Sequence, residues 1–115
     1  MVFLAKIISD APYKKQLPSI PEESTMTELV KDQIITASGK ARHHPTALNL
    51  GNLGMVYQAD AFYEKAFKCY ALAVKRNKSD WLWNYYLGYL YLEMGTLIHL
   101  KRLNYTRNVT VWMVL

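Results

Sequence analysis

The sequence predicts an all-α protein in which antiparallel helix pairs follow one another as a short α-solenoid. Three observations predict it: a motif that recurs at a fixed distance, small and bulky side chains at helical spacing, and a preceding segment with its own helical stripe. Residues 53–57 read Leu-Gly-Met-Val-Tyr, and residues 87–91, which lie 34 positions later, read Leu-Gly-Tyr-Leu-Tyr. A period of this length is typical of repeats in which each unit is one helix pair.

The first unit, residues 47–80, carries the pattern of two closely packed helices. Its first helix has bulky apolar residues around one small residue, and its second helix has small, aromatic and small residues in turn. Because these residues are three or four positions apart, each set lies on one helical face. The matching positions are Leu50, Leu53, Gly54 and Tyr57, followed by Ala66, Tyr70 and Ala73.

On these residues the first unit closely resembles a tetratricopeptide repeat (TPR). It departs from that family at Lys78, where the repeat usually has proline, and more mildly at Leu50, where tryptophan is commonest. The resemblance implies a TPR-type solenoid whose concave groove binds a peptide or a protein segment. We expect further buried positions around the motif, and the full predicted interior is Leu50, Leu53, Val56, Tyr57, Ala66, Phe67, Tyr70, Ala73, Val74, Leu87 and Tyr91.

The second unit, residues 81–114, begins with the same pattern and then loses it. Leu87, Gly88 and Tyr91 keep their places, and Gly95 stands where a turn between helices is expected. The small–aromatic–small positions are instead Leu100, Asn104 and Arg107, and a shift by one residue to His99, Leu103 and Thr106 fits only slightly better. Residues 96–115 are either a native continuation or, as we suspect, the truncated or frame-shifted end of a longer array. A repeat pattern continuing in another reading frame would support the second alternative.

Proline and capping residues divide the remaining chain. Pro12, Pro18 and Pro21 predict an extended N-terminal arm over residues 1–22, before a helical TPR-like domain over residues 23–115. A capping box from Thr25 to Glu28 starts a helix at residues 26–38, which Gly39 ends. The later helices are expected at 47–59, 63–77, 81–94 and 97–105, with Asp60 and Asp80 as caps before the second and third of them.

Residues 17–91 also resemble, less specifically, the front part of bacterial cell-envelope TPR proteins. The shared features are a Leu-Pro segment and a lone helix ahead of the motif at residues 53–57. The apolar start at residues 1–8 has only Lys6 as a cation and no basic segment before it, so it is a poor signal peptide. The compartment therefore stays open between the cytoplasm and, if an upstream signal is missing, a bacterial periplasm.

The TPR resemblance also implies which residues would contact a partner. Its groove positions fall on Leu48, Gly51, Met55, Gln58 and Ala59, then on Leu82, Tyr85, Tyr89, Leu92 and Glu93. We expect binding through Leu48, Met55, Gln58, Tyr85, Tyr89 and Glu93, in a non-catalytic interaction module or adaptor. Gly51 and Met55 replace the basic and amide residues with which the family clamps a C-terminal carboxylate. Alternatively, Tyr85 and Tyr89 have a packing role: they cover the place of the missing helix of a neighbouring repeat, or they pack against the N-terminal helix.

Charge distribution supports two other interpretations. The net charge of +5 arises entirely in residues 61–115, which carry eight basic and three acidic side chains. Lys65, Lys68, Lys75 and Arg76 could form a nucleic-acid surface, although the solvated outer face of a helix explains them more simply. In a third interpretation, the exposed end of a truncated array self-associates through the C-terminal end.

The sequence gives little support for an enzyme, a metal or a cofactor. His43 and His44 are adjacent, so they lack the i, i+4 spacing of a helical metal site. Cys69 is the only cysteine, and we expect it to be a packing residue. No apolar run reaches the ~20 residues needed to cross a bilayer. We therefore predict no metal, no cofactor and no catalytic residue.

Overall fold

The computed structural model describes residues 2–22 and 26–95. This part of the chain forms five helices and no strand, which confirms the predicted all-α fold class. Short connectors join α2 to α3 and α3 to α4, and these neighbours pack against each other. The predicted helix at 97–105 lies outside the described residues. The helices are α1 Val2–Gln16, α2 Glu28–His43, α3 Ala47–Ala59, α4 Tyr63–Arg76 and α5 at residues 81–95.

The N-terminal segment corrects the prediction of an extended arm over residues 1–22. Val2–Gln16 is helical, and only residues 17–22 form irregular, non-helical chain. Pro12 lies inside α1, although proline removes a helical hydrogen bond. The apolar residues Leu4, Ile7 and Ile8, spaced as on one helical face, were the overlooked sign of a helix.

Arg76 of α4 anchors the C-terminal half of α1. Its Nη2 donates to Asp10 Oδ1 at 2.7 Å, and its Nη1 donates to the carbonyl oxygen of Ser9 at 2.9 Å. The Arg76 guanidinium also lies 4.6 Å from the ring centre of Tyr13. Because Asp10 and Tyr13 are three residues apart, a helix brings both to one cation, which favours the helical form of this segment.

α2 differs from its prediction at both ends. Its N-cap is Thr27, whose Oγ1 accepts from the Val30 amide at 3.3 Å, whereas the expected cap Thr25 lies outside the described residues. Gly39 does not end the helix, which continues to His43. The last turn stays helical because Ala41 is fully buried, and its packing offsets the roughly 1 kcal/mol that an interior glycine costs.

The boundaries of α3 and α4 follow the sequence pattern closely. Thr46 caps α3 by accepting from the Asn49 amide at 3.1 Å. Asp60, expected to cap α4, instead closes α3, because its amide donates back to the Val56 carbonyl oxygen. The chain then reverses through Ala61, which takes the left-handed backbone conformation with φ 65°. α4 starts after Phe62 without a side-chain cap.

The core lies mainly between α3 and α4, and most of its members were predicted. Leu50, Leu53, Tyr57, Ala66, Tyr70 and Ala73 are buried, while Val56, Phe67, Val74 and Leu87 lie at the edge of the core. Tyr91 corrects the prediction, because it is 57% exposed. The buried apolar residues that the prediction missed are Leu17, Ile34, Ala41, Leu72, Trp83 and Leu90, while Cys69 is buried as its expected packing role implies.

α5 packs on the α3–α4 pair through Trp83. At its start, Asp80 Oδ1 accepts from the Leu82 amide at 3.0 Å, so Asp80 caps α5 as predicted. The Trp83 ring lies directly on Gly51 of α3, where an added Cβ would come within 2.3 Å of Trp83 Cζ3. Gly51 therefore allows α5 to approach α3 closely, and this contact determines which side of α5 faces the solvent.

Candidate functional site

A hollow of about 410 Å³ opens between α3, α4 and α5. We call it the central hollow. Two predicted contact residues, Met55 on α3 and Tyr89 on α5, are exposed at it, with 39% and 53% of their surfaces accessible. The predicted residues Gln58 and Glu93 lie deeper. The complete lining among the described residues is Met55, Gln58, Ala59, Tyr63, Tyr70, Tyr86, Tyr89 and Glu93.

A hydrogen-bond network fixes the polar side of the central hollow. Tyr70 Oη donates to Gln58 Oε1 at 2.6 Å, and Gln58 Nε2 donates to Glu93 Oε2 at 2.7 Å. Tyr63 Oη approaches Glu93 Oε1 at 3.4 Å. Burial, with smaller effects from Tyr86 and other neighbours, raises the pKa of Tyr70, so its hydroxyl stays a donor. Glu93 thus joins α5 to α3 and α4 and places an anionic group in the hollow.

An aromatic stack forms the base of α5. The rings of Tyr70 and Tyr86 lie 5.8 Å apart and nearly parallel, and Trp83 lies 5.8 Å from Tyr86 and 6.4 Å from Tyr70. Tyr85 contacts Tyr86 edge-to-face and is itself exposed. Such offset aromatic contacts stabilise packing beyond the buried area, by about 0.5–1.5 kcal/mol each. The stack therefore packs α5 directly against α4.

The remaining predicted contacts separate into two groups. Tyr85 and Leu48 are well exposed, yet neither lines the central hollow. Gly51, listed among the groove positions, is covered by the Trp83 ring and cannot contact a partner. The resemblance placed Gly51 in the groove because a repeat position alone does not show that the large Trp83 ring of α5 covers this glycine.

Sequence reasoning missed Tyr63 and Tyr86 as lining residues. Both come from positions outside the repeat's groove set: Tyr63 is at the start of α4, and Tyr86 is part of the aromatic stack of α5. The available signal was the density of tyrosines flanking the predicted turn and helix start. Tyrosine often lines such a surface, because its ring packs on apolar neighbours while its hydroxyl bonds to a polar one.

A second hollow adjoins the first on the other side of α3. Its volume is about 570 Å³, and residues of both α2 and α3 line it. Met55 and Ala59 line both hollows, so the two form one depressed surface running from α2 across α3 to α5. The α2 contribution is Leu29, Asp32, Gln33, Thr36, Ala37 and Lys40, and the other α3 residues are Asn49, Asn52 and Val56.

The four cations of the suggested nucleic-acid surface do not act together. Arg76 is occupied by Asp10 and its neighbours in α1, and Lys65 Nζ donates to the Ser19 carbonyl oxygen at 2.9 Å. Lys68 and Lys75 line a separate hollow of about 380 Å³ beside Phe67. Two of the four are thus used to hold the N-terminal segment against α4.

The other groups considered for chemistry have structural surroundings. Cys69 is fully buried, and burial raises the pKa of its thiol to about 12 against the opposing effect of Lys65. The rings of His43 and His44 meet edge-to-face at 4.6 Å on the surface. Over residues 2–22 and 26–95, no group of three or more His, Cys, Asp and Glu residues is arranged to hold a metal ion. None of the helices in the same residues has the length and apolarity of a membrane span.

Comparisons with known proteins add no relative to this description. No family model matches the sequence, and no curated protein or solved structure matches the chain.

Proposed function

We propose that this chain is a non-catalytic protein-binding module of the TPR class, which holds an extended or helical segment of a partner on the surface between α2 and α5. The observation that carries the proposal is the central hollow, where exposed Met55 and Tyr89 stand over a base of hydrogen-bonded polar groups. Methionine and tyrosine are enriched at protein interfaces because they give large, adaptable contact areas. Exposed residues from separate helices form such a binding surface without any catalytic group.

The charge of the central hollow indicates the chemistry of the partner. Glu93 is the ionised side chain among its described lining residues, and Gln58 and Tyr63 hold the carboxylate in place. A carboxylate from a partner would be repelled by it, whereas a lysine or arginine would gain a charge-assisted hydrogen bond. We therefore propose that the partner segment is apolar or aromatic and places a cation near Glu93, unlike the C-terminal carboxylates that clamp-type TPR grooves take.

A peptide selection tests this proposal. Random peptides selected on the immobilised full chain are measured for affinity against the wild type and against the double variant Met55→Ala, Tyr89→Ala. We expect at least about tenfold weaker binding to the double variant, equal to about 1.4 kcal/mol. The matched control is Trp81→Ala, which removes a 72% exposed aromatic of α5 outside the hollow and should leave affinity unchanged.

The same experiment also tests the proposed preference for a partner cation near Glu93. Glu93→Gln keeps the size of the side chain and should abolish the preference for peptides that carry lysine or arginine. Binding that is unchanged in the Met55, Tyr89 double variant would contradict the proposed surface. Binding that instead falls steeply with salt, with a slope set by several lysines, would favour a polyanion partner on the α4 face.

A further inference from the structure

The helix α1 presents two different faces. Asp10 and Tyr13 lie on one face, where the Asp10 carboxylate and the Tyr13 ring both contact Arg76 of α4. The larger apolar side chains point elsewhere, since Leu4 is 61% exposed and Ile8 is 65% exposed. At about 100° per residue, Leu4 and Ile8 lie more than about 100° around the helix from the two residues that contact Arg76. We call this second side the outer face of α1, with Leu4, Ile7, Ile8, Lys14 and Lys15.

The outer face changes from apolar to cationic along the helix. Lys14 follows Ile7 by seven residues, which is close to two helical turns, so the two lie on the same side. Lys15 stands in the same way after Ile8, and both lysines are exposed. Asp10 is the one acidic residue of α1, and it is buried on the side of α4, paired with a guanidinium at 2.7 Å. The outer face therefore has apolar side chains at one end and uncompensated positive charge at the other.

Two further lysines lie beside the C-terminal end of α1. Gln16, the last residue of α1, lines the hollow of about 380 Å³ together with Lys68 and Lys75 of α4. Both of these lysines are exposed. The acidic residue of α4, Glu64, is in its first turn, at the opposite end of the helix from Lys75. Exposed positive charge thus continues from the end of the outer face onto α4.

We infer that the outer face of α1 binds the surface of a bilayer that contains anionic lipids. Leucine and isoleucine side chains gain by entering the boundary between headgroups and acyl chains, and lysines beside them gain by contact with lipid phosphates. A nucleic acid is bound mainly through its phosphates, so it would match the lysines and not the aliphatic side chains. The proposed function places its partner between α2 and α5, so the two proposals are independent.

The anchoring of α1 favours this mode of binding. Arg76 holds the second half of α1 through Asp10 and through the carbonyl oxygen of Ser9, at 2.7 and 2.9 Å. An isolated helix of 15 residues would be only marginally stable in water. Because α1 is already helical on the protein, the cost of ordering it does not reduce the affinity for lipid.

Vesicle sedimentation tests the inference with the full-length protein. The protein is mixed with vesicles of phosphatidylcholine alone, or of phosphatidylcholine and phosphatidylserine in equal amounts, and the bound fraction is measured after centrifugation. We expect binding to the anionic vesicles to be at least about tenfold stronger, because the lysines gain from their negative surface potential. Added salt should weaken this preference, since it screens the interaction.

Substitutions separate the two parts of the outer face. Leu4→Gln with Ile8→Gln removes two exposed aliphatic side chains and should weaken binding to the anionic vesicles at least about tenfold. Lys14→Gln with Lys15→Gln should instead remove most of the preference for phosphatidylserine. The thermal transition of each variant checks that it is folded.

A matched control tests whether α1 is the site of binding. Ile35→Gln with Trp81→Gln removes exposed apolar side chains of α2 and α5 and should leave vesicle binding unchanged. A loss as large as that of the Leu4, Ile8 variant would contradict the inference, because general surface apolarity would then explain the binding. Equal binding to both kinds of vesicle, binding to neither, or binding that the Leu4, Ile8 variant retains in full would also overturn it.

Other occupants of the outer face have their own signatures. Concentration-dependent sedimentation of the lipid-free protein that Leu4→Gln with Ile8→Gln abolishes would identify a second copy of the chain. Selected peptides that lose affinity for the same variant would identify a protein segment. Either result would replace the lipid surface as the partner of α1.

Discussion

The same five-residue pattern occurs in α3 and in α5, and the structure gives it two different surroundings. In α3, Leu53 and Tyr57 are inaccessible and Gly54 touches the Tyr70 ring across the interface with α4. In α5, Leu87 is half-buried, Gly88 has no described neighbour at its Cβ position, and Tyr91 is 57% exposed. The motif is shared, but among the described residues only the α3 copy is covered by a following helix.

This difference shows that burial in such a pattern belongs to the helix pair and not to the single helix. α3 receives α4 through a reversal of three residues, so its motif is covered by a helix that the chain supplies at once. α5 packs on the first unit through Trp83 and Leu90, which are buried, and through Leu87, which lies one turn after Trp83 and is partly buried. Two helices of similar sequence can therefore bury different parts of their surface, depending on the neighbours that contact them.

The largest expected contrast is in thiol reactivity. Cys69 lies under Gly54 in the covered interface, where burial raises the pKa of its thiol to about 12 from 9.0. At pH 8 the thiolate population is then about a thousandfold lower than in an unfolded chain, and access is blocked as well. We expect alkylation by iodoacetamide to be slower by at least this factor in the folded protein than in denaturant.

A cysteine on the uncovered face provides the comparison for this experiment. In a Cys69→Ala background, Gly88→Cys should react at close to the rate of an unfolded thiol. Both thiols should become equally reactive in denaturant. Slow reaction of the cysteine at position 88 would mean that its face is covered, and fast reaction of Cys69 would mean that the α3–α4 interface opens readily.

The raised pKa of Cys69 also predicts a pH dependence of stability. The neutral buried thiol contributes fully to the stability of the folded protein below pH 9, and this contribution is lost as the pH rises through about 12.

Glycine-to-alanine substitutions in the two motifs should have effects of opposite sign. Gly54→Ala places a methyl group within 3 Å of the Tyr70 ring and 3.3 Å from Cys69 Cβ, so we expect a loss of about 1–3 kcal/mol in the free energy of unfolding. Gly88→Ala meets open space and removes a poor helix former, so we expect a gain of about 0.5–1 kcal/mol. Urea denaturation of the two variants measures both values.

The sign is more informative than the size in this pair. Losses of similar size in both variants would mean that Gly88 is as closely packed as Gly54. A gain at both positions would instead mean that Tyr70 moves aside at little cost. Gly39→Ala provides a reference for the intrinsic effect of glycine, because α2 leaves the same open space there.

The sequence was most informative where one helix directly contacts the next along the chain. The bounds of α3 matched the prediction, and α4 ended one residue earlier than expected, because their apolar periodicity and the glycine motif reflect the contact between them. Four of the predicted contact residues, Met55, Gln58, Tyr89 and Glu93, were also brought to one hollow. Whether they bind a partner stays a prediction.

Contacts between distant segments were not recoverable in the same way. The prolines of residues 1–22 hid α1, and the contact of its Asp10 with Arg76 could not be predicted, because nothing in the local sequence indicates a partner 66 residues away. Trp83 was missed for a related reason. Its burial depends on the space above Gly51 in another helix, whereas the repeat pattern directed attention to Leu87 and Tyr91.

The smallest expected effect concerns the turn that distinguishes the two units. Ala61 adopts φ 65°, which costs a residue with a side chain about 1–2 kcal/mol, whereas the equivalent position of the second unit is Gly95. Ala61→Gly should therefore raise the free energy of unfolding by about 0.5–1 kcal/mol, since the relief of strain exceeds the extra flexibility of glycine in the unfolded chain. Gly95→Ala should stabilise α5 by a similar amount, because residue 95 is helical and not in a turn. If Gly95→Ala is destabilising instead, residue 95 does not have the helical conformation that the structure gives it.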